Sequence, residues 1–157
     1  MNVEINVPGY KTLSLSFLVL DYNGTIACDG HLIPGIKELL IDLSQRLAIH
    51  ILTADTFGGV KEELQGIPCE IVVIAKENQA QAKADHVRKL DEHKTVCIGN
   101  GRNDALMLKE AELGIAVIQT EGCAVDALLA ADVVTQDIQE ALNLLRHPLR
   151  LAATLRS

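Results

Sequence analysis

The chain has 157 residues, which suits one domain, and its composition is 48% apolar but only 3% aromatic, so the core must be built from Leu, Ile, Val and Ala. The net charge of −7 leaves no basic footprint for nucleic acid and no attraction to an anionic membrane. No apolar run is long enough to span a bilayer and residues 1–9 lack the basic start and apolar stretch of a secretion signal, so a cytoplasmic protein with a small-molecule or protein partner is expected.

In chain order, residues 1–12 (MNVEINVPGYKT) alternate and then turn at Pro8-Gly9, which predicts an edge strand or hairpin. Residues 13–20 (LSLSFLVL) read as one strand ending at Asp21. Pro34 opens a helix over 34–46 with Ile36, Leu39, Leu40 and Leu43 on one face. A strand at 47–52 follows, then a short helix beginning at Thr56 or Gly59 and ending at Leu64. A strand at 71–75, a helix at 79–90, a strand at 95–98, a helix at 104–111 and a strand at 114–117 continue the alternation. The chain closes with a helix at 123–130, a short strand at 133–134, a helix at 138–145 and, after Pro148, an apolar tail helix at 149–155.

Short connections between alternating strands and helices predict a doubly wound α/β fold, mostly parallel, in three α/β/α layers and a single domain over 1–157. In such sheets ligands lie beyond the carboxyl ends of strands. The polar residues do cluster there: Asp21 and Asn23 after one strand, Thr53 and Asp55 after the next, Asn100, Asn103 and Asp104 after a later one. Cys28, Cys69, Cys97 and Cys123 form no CxxC pair, so reduced, partly buried thiols are expected.

Four segments carry chemistry. VLDYNGTIACDG (19–30) delivers Asp21 to a strand tip, with Gly24 free to turn the backbone and Thr25 offering a hydroxyl. ILTADT (51–56) ends a strand at Thr53, followed by Ala54; Thr56 or Asp55 competes with it as a helix cap. QAQAKADHVRKL (79–90) places Lys83 near a helix start, with Lys76 as competitor because it directly follows a strand. VCIGNGRNDALMLKEAELGIAV (96–117) puts two glycines around a polar tip and starts a helix at Asn103 and Asp104, where exposed N–H groups favour anions.

In this order and spacing the segments resemble the four motifs of the haloacid dehalogenase (HAD) superfamily: DxDGT, a Thr or Ser after the second strand, a helical Lys, and GDGxND. The KxxxVxxL run at Lys83, the GIA strand and AADVVTQDI (130–138) are similar to the phosphorylation domain of P-type ATPases. The resemblance implies that Asp21 attacks phosphorus, that Thr53 and Lys83 hold the phosphoryl oxygens, and that Gly24, Thr25, Ala54 and Asn103 line the substrate site. It implies Mg²⁺ as cofactor, with Asp21, Asn23, Asn100 and Asp104 supplying oxygens. A transporter is excluded on the same comparison, since membrane helices and a nucleotide domain have no room.

Two positions depart from the pattern. Asn23 stands where family phosphatases have the Asp that protonates the leaving group and activates water, which an amide cannot do; its backbone carbonyl still offers an oxygen to Mg²⁺. Asn100 stands where the family has the Asp of GDG, which weakens the charge holding the metal. The resemblance therefore implies a slow phosphohydrolase, with a phosphate-binding or regulatory module, or a protein lending its fold to an ATPase-like assembly, as the alternatives. The segments 21–53 and 53–83 are too spare for a cap, so the substrate is expected to be a phosphoprotein or a phosphorylated small molecule covered by a second copy in a dimer or tetramer. The apolar tail is a candidate contact for such an oligomer, with packing on its own domain as the other option.

Overall fold

The computed structural model describes residues 2–55 and 58–157. Thr56, expected as a helix start or cap, lies outside the described residues. The chain begins with a hairpin of β1 (Val3–Asn6) and β2 (Thr12–Leu15), paired antiparallel from Val3↔Leu15 to Asn6↔Thr12. This hairpin forms its own two-stranded sheet and is not an edge of the main sheet. Residues 13–20 accordingly divide into two strands, β2 and β3 (Phe17–Asp21). The change of partner falls at Ser16. Its N–H donates to the Lys94 carbonyl at 2.8 Å and its carbonyl accepts from the Ala48 N–H at 2.9 Å, so the chain leaves β1 and enters the main sheet there.

A second small hairpin, β4 (Ala27–Cys28) with β5 (His31–Leu32), follows β3 directly. Its two-residue turn is Asp29-Gly30, both with positive φ (53° and 84°), which is the backbone of the tight hairpin turn that Asp-Gly favours. Then come α1 (Ile36–Leu43), β6 (Ala48–Thr53), α2 (Gly59–Glu63), β7 (Glu70–Val73), α3 (Gln79–Leu90), β8 (Thr95–Gly99), α4 (Ala105–Glu110), β9 (Leu113–Val117), α5 (Val125–Ala130), β10 (Val133–Thr135), α6 (Ile138–Arg146) and α7 (Pro148–Leu155). The helix expected over 34–46 is confined to Ile36–Leu43, because Gly35 takes a left-handed conformation (φ 87°) and excludes Pro34. Pro148 occupies the first turn of α7 rather than preceding it; its missing N–H has no intrahelical partner to lose at that position.

The main sheet has six strands in the order β10-β9-β8-β3-β6-β7, every pair parallel. Strand parity sorts its two faces. Leu18, Leu20, Ile49, Ile51, Val96 and Ile98 pack with α1, α6 and α7 in one cluster, whereas Val19, Leu52 and Cys97 pack with α3, α4 and α5 in the other. This is the α/β/α sandwich that near-continuous aliphatic strands require, since parallel strands buried on both faces have no polar side. The tail helix α7 buries Leu151 (0% exposed) and Ala152 against its own domain. Its end is tied to the first hairpin by Ser157, whose N–H reaches the Pro8 carbonyl and whose hydroxyl reaches the Gly9 carbonyl at 2.9 Å. No helix among the described residues is long and apolar enough to cross a membrane.

Candidate active site

From β3 the chain passes to β6 and β7 on one side, then returns to β8, β9 and β10 on the other. The carboxyl ends of β3 and β8 therefore flank a topological switch point, where a crevice opens. Asp21 is the last residue of β3 and Asn100 the first after β8.

Asp21 stands two residues beyond Val19, so it projects toward the face covered by α3. Lys83 comes up from the first turns of α3 to meet it, with Nζ 2.8 Å from Asp21 Oδ1. The same ammonium lies 2.7 Å from Asp104 Oδ1. Lys83 is 1% exposed and Asp104 0%, so this is a buried carboxylate–ammonium–carboxylate chain. The second Asp104 oxygen accepts the N–H groups of Asn100 (3.1 Å) and Gly101 (2.9 Å). Asp104, expected among the metal ligands, thus has both oxygens committed to Lys83 and to the turn after β8. Room for it exists because residue 99 is glycine: a Cβ there would sit 2.5 Å from Asp104 Cγ.

Burial pushes the Asp21 carboxyl up, to about 7, and the charge of Asp104 adds to the effect; Lys83 and the Thr25 hydroxyl oppose it only in part. Burial alone would lower the Lys83 ammonium, but attraction to Asp104 and Asp21 outweighs it and the group is raised. With two carboxylates around one ammonium, the cluster carries an uncompensated negative charge when all three are ionised.

Thr25 is fully buried. Its hydroxyl lies 3.1 Å from Asp21 Oδ2 and 3.2 Å from Asn100 Oδ1, and its single proton serves one of them at a time. Thr25, expected to line the substrate site, is buried against the Asp21 carboxylate. Gly24 (φ 81°) packs under the Asn100 amide, where a Cβ would approach Nδ2 to 2.6 Å. Asn100 Nδ2 donates to the Gly122 carbonyl at 3.1 Å. Thr53, 3% exposed, accepts the Asp55 N–H at 3.0 Å, which fixes Ala54 between them; the helix cap of α2 is Gly58, with no side-chain cap bond. Lys76 is exposed, and Lys83 is the lysine that reaches Asp21.

These loops enclose a cleft of about 320 Å³ lined by Asp21, Asn23, Thr53, Ala54, Gln79, Lys83, Asn100, Gly101, Asn103 and Glu121. Asn103 donates to Gln79 Oε1 at 2.8 Å, pinning the start of α3 to the loop after β8. Gln79, Gly101 and Glu121 were not foreseen, nor was Gln119, whose side chain braces the nucleophile loop through the carbonyls of Gly24 (2.9 Å) and Thr25 (2.6 Å). Gln119 and Glu121 follow β9, so the rule that flagged the other strand ends applies to them as well.

Among the described residues no group of three or more His, Cys, Asp or Glu side chains is arranged to hold a metal ion. The oxygen donors at the switch point nonetheless suit a hard cation. Asp21 Oδ2 and Asn100 Oδ1 both lie within about 3.2 Å of one hydroxyl and so converge, and Mg²⁺ takes few protein oxygens and keeps several waters.

No protein-family model matches the chain. It is 51% identical over 63 residues to the uncharacterized protein MJ0073 of Methanocaldococcus jannaschii, a match covering 40% of this chain and 68% of that protein. It is 29% identical over 139 residues to a soluble P-type ATPase-like phosphatase of the same organism, covering 82% of this chain but only half of the relative's length. Its fold is similar to that of 3-deoxy-D-manno-octulosonate 8-phosphate phosphatase from Moraxella catarrhalis, solved with magnesium, phosphate and KDO: TM-score 0.71, 17% identity, 90% of this chain and 94% of that one. The parallel sheet with its switch point is the fold of that phosphatase and of a putative HAD superfamily hydrolase from Legionella pneumophila (TM-score 0.67, 16% identity, 90% of this chain and 87% of that one), with no cap domain among the described residues. The chain belongs to the same family as MJ0073.

Proposed function

We propose that the protein is a Mg²⁺-dependent phosphohydrolase that forms an aspartyl phosphate on Asp21. The observation that carries this reading is the buried Asp21–Lys83–Asp104 chain, with contacts of 2.8 and 2.7 Å, opening into a polar cleft at the switch point. Asp21 presents an oxygen at the cleft floor for attack on phosphorus. Lys83 keeps a positive charge beside the nucleophile, where it offsets the charge of the approaching phosphoryl group. Asp104 holds Lys83 in place. Thr53 and Ala54 form the wall against which the phosphoryl oxygens rest, and Asn103 and Gln79 the opposite rim. Mg²⁺ would be held by Asp21, Asn100 Oδ1 and the Asn23 carbonyl, and would supply charge neutralisation to the phosphoryl oxygens. With one carboxylate instead of two in that set, weak metal affinity is expected. The names of the phosphatase relatives support the same reaction class.

The cleft is open, so its substrate is a phosphoprotein, or a phosphorylated small molecule covered by a second copy of the chain. The test is release of nitrophenol from p-nitrophenyl phosphate with and without Mg²⁺. Release by the wild type that is abolished in Asp21→Asn and stimulated by Mg²⁺ supports the reading; equal release by both proteins contradicts it. A second reading, a phosphate-binding module without turnover, is favoured by the amides at Asn23 and Asn100. It predicts that inorganic phosphate binds while the wild type releases no more nitrophenol than Asp21→Asn.

A further inference from the structure

The proposed hydrolysis needs a group that moves protons, and Asn23 cannot be that group. Among the described residues lining the cleft, the ionisable ones are Asp21, Lys83 and Glu121. Asp21 is the nucleophile. The Lys83 ammonium is engaged by Asp21 and Asp104. Glu121 remains. It is exposed, and among the described residues no hydrogen bond or ion pair engages its carboxylate.

Its position is built. Glu121 sits in the turn closed by the Gly122 N–H to the Gln119 carbonyl at 2.7 Å. One end of that turn is fixed to the nucleophile loop, through Gln119 Nε2 to the carbonyls of Gly24 and Thr25. The other end is fixed to the loop after β8, through Asn100 Nδ2 to the Gly122 carbonyl and the Ala124 N–H to the Asn100 carbonyl at 2.8 Å. The Gln119 carbonyl oxygen Oε1 also accepts the Ile138 N–H at 2.9 Å, which anchors the turn to α6. A free surface carboxylate needs none of this bracing; one that must face the phosphoryl group does.

We infer that Glu121 is the acid and base of the reaction, taking the role that Asn23 cannot fill. The inference rests on the phosphohydrolase reading above. In the first step Asp21 forms a bond to phosphorus, the bond from phosphorus to the leaving oxygen breaks, and the Glu121 carboxyl gives its proton to that oxygen. In the second step the Glu121 carboxylate takes a proton from water as the water oxygen bonds to phosphorus. The bond to Asp21 breaks, and inorganic phosphate and both carboxyl groups are restored to their starting states.

The experiment compares the first turnover of phenyl phosphate, whose leaving group needs a proton, with that of 2,4-dinitrophenyl phosphate, whose leaving group does not. Wild type, Asp21→Asn, Glu121→Gln and the double variant Asn23→Asp/Glu121→Gln are used, with circular dichroism as the check on folding. In Glu121→Gln the phenol is expected to appear about 100-fold more slowly from phenyl phosphate but within about threefold of wild type from the dinitrophenyl ester, while phosphate release slows for both. Asn23→Asp in the double variant is expected to restore the phenyl phosphate step. An equal fall on both esters, no fall on either, or a double variant as slow as Glu121→Gln overturns the role of Glu121 while leaving the phosphohydrolase reading intact. A wild type no faster than Asp21→Asn on both esters overturns that reading, and this inference with it.

Discussion

Lys83 is held by two carboxylates at the buried floor of the cleft, and that fixes what its loss must do. Removing one partner of a buried ionic group leaves the other charges uncompensated, at a cost of about 3–5 kcal/mol. Lys83→Met is therefore expected to lower the urea midpoint strongly and to abolish phosphoryl transfer, whereas Lys76→Met, at an exposed site, is expected to change neither. A Lys83→Met protein as stable as wild type would contradict the buried chain. Gly99→Ala tests the same cluster from behind. Its Cβ would meet Asp104 Cγ at 2.5 Å, so Asp104 must move off Lys83, and a loss of about 1–3 kcal/mol is expected with reduced activity. Thermal melts and nitrophenol release check both. The residues of this cluster were legible in the sequence because motif order names them. The KxxxVxxL run favours Lys83 over Lys76, which directly follows a strand, but only the fold shows which ammonium turns inward. The burial of Thr25 was not legible either: its place after Gly24 names a hydroxyl near Asp21 but not its contacts with Asp21 and Asn100.

At the scale of elements, α3 does more than carry Lys83. One turn later His86 approaches His50 of β6, with Nε2 to Nδ1 at 3.1 Å. Glu70 lies 3.6 Å from His50, and the Phe17 ring meets the His50 ring edge-on. Burial lowers both imidazoles; His50 lowers His86 further, as does Lys89, while Glu70 opposes the shift on each. A histidine with a lowered folded pKa binds its proton more readily when unfolded, so its contribution to stability is present above the ordinary value of about 6.5 and is lost as pH falls below it. Asp21, raised in the fold, works in the opposite direction over the same range. The informative quantity is thus a difference: between pH 7.5 and 5.5 the Tm of His86→Gln is expected to fall less than that of wild type. Parallel falls would contradict the coupling of β6 to α3. The helix expected at 79–90 is found with those bounds, and the structure shows it ending where Asp91 takes a positive φ of 117°. The break at Ser16 was not legible, because LSLSFLVL holds no glycine, proline or other turn signal and only the change of strand partner divides it. The β4–β5 hairpin was signalled by Asp29-Gly30, but its strands are two residues each and too short to show alternation.

For the whole molecule, the chain ends meet. The tail helix α7 lies on β1, with Leu151 buried and Leu149 86% exposed. Leu151→Ala is expected to cost about 2–5 kcal/mol, as a fully buried leucine does, and Leu149→Ala close to nothing; the comparison, made by urea unfolding, separates packing on its own domain from a contact between copies. The layer order and the position of the cleft were legible because a doubly wound alternation leaves few topologies and one switch point. The bracing turn at Gln119–Gly122 was not, since nothing in its sequence marks it as facing β3. It is placed by hydrogen bonds spanning 94 and 95 positions of sequence.

Attack by Asp21 on phosphorus leaves a covalent phosphoryl group on that residue. The most direct test is to mix the protein with p-nitrophenyl phosphate and Mg²⁺, quench with acid at successive times, and read the intact mass and the modified peptide. The expected result is a species heavier by one phosphoryl group, located on the peptide containing Asp21, forming with the nitrophenol burst and decaying as phosphate is released, and missing from Asp21→Asn. Turnover by the wild type with no such species at any time, or with the phosphoryl group on another residue, would contradict it.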